Sequence, residues 1–99
     1  MGITAVVSFD ARPDRVEQVV TMMEQLQPLA ISMGCTSITL YRDQHDPQRI
    51  MEVEYWPNAQ AQLDYVAQLE SSGIFDDVDD LLKVPVDVHI LDAVMNSVS

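Results

Sequence analysis

Residues 49–56, RIMEVEYW, decide how this chain folds. Ile50, Glu52, Glu54 and Trp56 alternate with Arg49, Met51, Val53 and Tyr55. That is the two-residue period of a β-strand, whose successive side chains point to opposite faces. Just upstream, residues 35–42 (CTSITLYR) carry a similar strand bias. Between them, Asp43-Gln44-His45-Asp46-Pro47 is built from residues that hydrogen-bond their own backbone or fix φ, so the two strands read as a β-hairpin. Downstream, Pro57-Asn58 stops the strand. Asn58 is placed to cap a helix through about residue 69, with Ala59, Leu63, Val66 and Ala67 or Leu69 at helical spacing.

The pattern extends both ways from the hairpin. Residues 3–10 (ITAVVSFD) form a first strand with Ile3, Ala5, Val7 and Phe9 on one face. Pro13 and Asp14 then open a helix on which Val16, Val19, Val20, Met23 and Ala30 recur, closed by Gly34. Pro28 removes a backbone donor, which predicts a kink near residues 24–27 or a helix in two pieces. Beyond Ser71-Ser72-Gly73, residues 74–82 read as a short helix with Ile74, Phe75, Val78, Leu81 and Leu82 inward and aspartates outward. Residues 83–91 (KVPVDVHIL) read as a last strand in which Pro85 marks an edge or a beginning. The order β-α-β-β-α-β, plus one small helix, is that of an α+β ferredoxin-like domain with an antiparallel sheet and both main helices on one face. The 99 residues suit a single domain, with a core of about 3–92 and a tail at 93–99. Several strands are apolar on both faces, so the helix-free face is expected to meet a second copy in a homodimer.

Composition narrows the function. Five basic residues stand against sixteen acidic ones, a net charge of −11, which repels phosphate backbones and anionic membranes. Neither nucleic acid nor membrane is an expected partner. No apolar run approaches a membrane span, and the N-terminus lacks the features of a signal peptide. The single cysteine, Cys35, fits a reducing cytoplasm. No glycine-rich phosphate loop, Cys-x-x-Cys or His-Glu-x-x-His is present, so neither metal nor cofactor is expected.

Gly34-Cys35, Leu40-Tyr41-Arg42-Asp43, Asp46-Pro47, Glu54-Tyr55-Trp56 and Asn58-Ala59-Gln60-Ala61 together resemble the antibiotic biosynthesis monooxygenase family. The resemblance runs from Ile3 to about Leu91 and implies a dimeric α/β barrel. It also implies one of several activities, among them cofactor-independent oxidation of quinols or anthrones and the degradation of haem. The haem-degrading branch resembles an Asn–Trp–His constellation. Trp56 matches its tryptophan, but the first strand has no Asn and Asp79 or a neighbour stands near the histidine position. The histidine that follows the tryptophan motif in many members is also absent, the nearest residues being Tyr65 and Val66.

Oxygenation without a cofactor needs a substrate that reduces O₂ once deprotonated, and a protein that supplies an apolar pocket, a proton acceptor and donors for the phenolate. Trp56, Glu54, Tyr65 and His89 are the candidate catalytic residues. Tyr41, Met23 and Phe75 are the candidate contacts for a small aromatic substrate. Each has a plainer role available: Trp56 as packing, the tyrosines as half-buried contacts, the methionines as core filler, His89 as a structural strand residue. For Glu52 and Glu54, the expectation is an ion pair with Arg42 or Arg49 on the hairpin, an unpaired carboxylate having instead a raised pKa and the capacity to act as a base. The runner-up function is a non-catalytic dimeric module that binds a small apolar ligand or a protein.

Overall fold

A computed structural model describes residues 2–97 of the chain. The elements follow the order β1 (Ile3–Asp10), α1 (Val16–Ser32), β2 (Ser37–Arg42), β3 (Arg49–Trp56), α2 (Ala59–Ser72), α3 (Ile74–Asp79) and β4 (Asp87–Leu91). The strands form one antiparallel sheet in the order β2-β3-β1-β4, the ferredoxin-like arrangement. All three helices cover one face of it.

Register explains which residues are inside. Ala5 faces Glu54, Val7 faces Glu52 and Phe9 faces Ile50 across β1 and β3, while Ile90 and Val88 lie opposite Ala5 and Val7 on β4. These residues share the helix-covered face. One core cluster joins Phe9 and Ile50 to Val19 and Met23 of α1 and to Val78 and Leu82. A second joins Ala5 and Trp56 to Ala30, Cys35, Tyr65 and Leu69.

The local signals hold where they rest on backbone chemistry. Asp43 Oδ1 accepts the N–H groups of His45 and Asp46, and Asp46 Oδ1 accepts that of Gln48, closing the hairpin. Asn58 Oδ1 accepts from the N–H of Ala61, 2.9 Å away, as the N-cap of α2. Gly73 ends α2 at φ +78°, a left-handed conformation suited to glycine.

Several elements differ from the sequence reading: β2 begins at Ser37 rather than Cys35, and α2 runs on to Ser72 rather than ending near residue 69. Helix α1 is continuous through Pro28. Pro28 and Glu24 are exposed, so the freed Glu24 carbonyl meets water and the ring has room, while buried Met23 and Ala30 tie both halves to the sheet. Strand β4 begins only at Asp87, because Pro85 has no N–H for the ladder and the Lys83 N–H is taken by the Asp10 carbonyl. Helix α3 stops at Asp79. Leu82 instead forms an isolated bridge with Ala11, whose neighbour Arg12 donates its N–H to the Leu81 carbonyl. Among the described residues no helix is long and apolar enough to cross a membrane. Residues 98 and 99 of the expected tail lie outside the described residues.

Candidate active site

Between the sheet and helices α2 and α3 lies a cavity of about 300 Å³. Its sheet wall includes Val7, Phe9, Val88 and Ile90; its helix wall includes Leu63, Val66, Leu69 and Phe75, with Met23 from α1. Four lining residues bear polar groups: Glu52, Glu54, Gln62 and Tyr65. The rest are apolar, and among the described residues no arginine, lysine or histidine contributes.

Strand parity builds the acidic centre. Glu52 and Glu54 are two apart on β3, so both side chains point inward from one strand, and they are only 4% and 3% exposed. The expected ion pair does not form. Arg49 is on the opposite face of β3, where it binds Asp10, its partner in register. Arg42 reaches Glu17 of α1 at 2.7 Å on the surface. The two carboxyl groups therefore have each other. Burial first, then the hydrogen bond to Glu54 and the charge on Glu54, push the Glu52 carboxyl up to about 9. At neutral pH Glu52 therefore keeps its proton beside Glu54.

Trp56 braces this pair from behind. Its Nε1–H donates to Glu54 Oε1 at 2.9 Å, and its ring lies 5.2 Å from that of Tyr65 at an interplanar angle of 36°. The indole is 1% exposed and does not line the cavity. Tyr65 does. Burial, reinforced by the charges of Glu52 and Glu54, raises its phenol, which stays an O–H donor. Burial likewise raises the Cys35 thiol, which donates to the Ser37 carbonyl.

Of the residues singled out in the sequence, Glu54, Tyr65, Met23 and Phe75 meet at the cavity and Trp56 supports it. His89 and Tyr41 do not join them. His89 pairs in register with Val6, and Tyr41 with Met51, which places both on the helix-free face. There His89 Nε2 lies 3.0 Å from Asp87 Oδ2, and Tyr41 is exposed. Sequence reasoning missed Gln62. It drew the inner stripe of α2 through Leu63 and Val66, whereas Gln62, Tyr65 and Leu69 are the buried residues and Leu63 is exposed at the cavity rim. The signal was available in the spacing, since Gln62, Tyr65 and Leu69 are three and four residues apart.

A ferredoxin-like domain with a largely apolar, acid-floored cavity is thus the class of molecule that fold and site define. The family model for antibiotic biosynthesis monooxygenase matches residues 2–71, and the chain belongs to that family. Among solved structures, Rv0793 from Mycobacterium tuberculosis superposes with a TM-score of 0.86 at 18% identity, over 99% of this chain and 100% of that one. PA3566 from Pseudomonas aeruginosa gives 0.81 at 19% identity, over 95% of each chain. An antibiotic biosynthesis monooxygenase gives 0.81 at 19% identity, over 94% and 99%. Identities this low speak to the fold alone. No curated protein matches the sequence.

Proposed function

We propose that this chain is a cofactor-independent monooxygenase acting on a small electron-rich aromatic, a quinol or an anthrone. The observation that carries the reading is the buried Glu52–Glu54 pair, without a basic partner among the described residues, at an otherwise apolar cavity. Glu54 is the proton acceptor in this reading, and Trp56 holds it in place. In the anthrone case, Glu54 takes a proton from the activated methylene. The carbanion passes an electron to O₂, the radicals combine into a C–O bond, the peroxide anion takes back the proton from Glu54, and the hydroperoxide loses water with the second methylene hydrogen to leave a carbonyl. One oxygen atom enters the product and one becomes water, all four electrons coming from the substrate carbon. In this reading the O–H of Tyr65, which lines the cavity, stabilises the developing enolate oxygen.

The assembly belongs to the same proposal. Val6, Met51 and Val53 are only half-buried on the helix-free face, and Tyr41, Tyr55 and Leu91 are exposed there. A second copy stacked on that face forms a homodimer, in a cytoplasm that keeps Cys35 reduced.

The test is oxygen uptake with a panel of quinols and anthrones and no added cofactor, on wild type and Glu54→Gln. One O₂ per anthrone consumed, with a loss of about a hundredfold or more in the variant, supports the reading. No uptake with any compound, or an undiminished variant, overturns it.

A further inference from the structure

Glu52, Glu54 and Gln62 are the buried polar or charged side chains among the described residues, and all three line one cavity. Two of them have protein partners: Glu52 bonds Glu54, and Glu54 also receives the Trp56 N–H. Gln62 is 5% exposed, yet among the described residues its amide has no hydrogen-bond partner and no fully enclosed side-chain nitrogen or oxygen is left without one. Its amide atoms therefore keep some accessible surface, and because the residue lines the cavity, the partner a buried amide requires is available there from a ligand or from water. The acid pair sits on the sheet wall, whereas Gln62 is carried by α2.

We infer that Gln62 is a specificity-determining residue. Its amide donates to a carbonyl oxygen at one end of a neutral aromatic ligand, while the acid pair faces the acidic hydrogen at the other end, that of a hydroxyl or an activated methylene. This rests on the cavity being the substrate site proposed above, and it adds which ligands that site admits. Two walls with different polar groups select a two-ended molecule over a simple phenol. With an acid pair present and no cationic side chain in the described lining, the cavity rejects ligands that bear a carboxylate.

The experiment measures binding without oxygen, by calorimetry, so it does not depend on turnover. Four probes are compared: a hydroxytetralone with its hydroxyl and carbonyl at opposite ends, the tetralinol lacking the carbonyl, the tetralone lacking the hydroxyl, and a hydroxynaphthoate. Wild type is expected to bind the hydroxytetralone about two- to tenfold more tightly than the tetralinol, the worth of one neutral hydrogen bond, and the naphthoate at least tenfold more weakly. In Gln62→Leu the preference for the hydroxytetralone over the tetralinol should collapse to unity while tetralinol affinity holds. Equal affinities in wild type, a preference that survives in Gln62→Leu, or no binding of any probe overturns the inference. The wild-type comparison stands even if the variant fails to fold. Selective binding in a protein that consumes no oxygen would sink the oxygenase reading and leave the role of Gln62 intact.

Discussion

Glu52 keeps its proton far above the ordinary carboxyl value of 4.5 chiefly because burial disfavours its charged form, with the neighbouring Glu54 adding to the effect. The consequence for stability has a definite sign. Between pH 4.5 and about 9 the unfolded chain has lost this proton and the folded chain has kept it. Folding stability from this group is therefore complete below the lower value and is lost as pH rises through the upper one, with a slope of up to about 1.4 kcal/mol per pH unit. Glu52→Gln should flatten that decline, read as thermal midpoint against pH for the two proteins. Parallel curves would mean that Glu52 ionises normally. Trp56 offers a second test at this scale. Trp56→Phe retains the ring against Tyr65 and removes the donor to Glu54, which should cost about 1–3 kcal/mol and raise the titration of the acid pair further, followed by carboxyl carbon NMR. A lower melting point with an unmoved titration would leave Trp56 a packing residue.

Elements are where the chain was most readable, because hairpin, caps and strand alternation are local. Gly73 illustrates it. Its φ is +78°, and no atom lies within 4 Å of where a Cβ would stand. Gly73→Ala should therefore cost about 1–2 kcal/mol through backbone strain alone, and Asn58→Ala about 1 kcal/mol through the lost cap. Both should lower the thermal midpoint and leave ligand affinity unchanged. A neutral Gly73→Ala would mean that the α2–α3 junction relaxes. The site was legible only in part. Alternation put Glu52, Glu54 and Trp56 on one face, but the partners of those carboxylates depend on register between strands. Arg49 is adjacent in sequence terms and yet points the other way, toward Asp10. Gln62 escaped notice because Leu63 and Val66 drew the apolar stripe one residue too far round α2, a choice only packing against the sheet decides.

The molecule as a whole carries a net charge of −11 and a sheet with one helix-free face. Sedimentation equilibrium at micromolar concentration should give twice the 11.1 kDa chain mass. Added salt should strengthen the association by screening repulsion between two acidic copies. A single species at the chain mass would overturn the dimer. One further consequence follows from the position of β4. It is five residues long, its one strand neighbour among the described residues is β1, and its Val88 and Ile90 form part of the cavity wall. One wall of the cavity is thus also a sheet edge. The five residues of β4 are all exposed, so its amides are expected to exchange by local fluctuation before the whole fold opens, and if the cavity is entered past this edge, that exchange and ligand entry should share one free-energy scale.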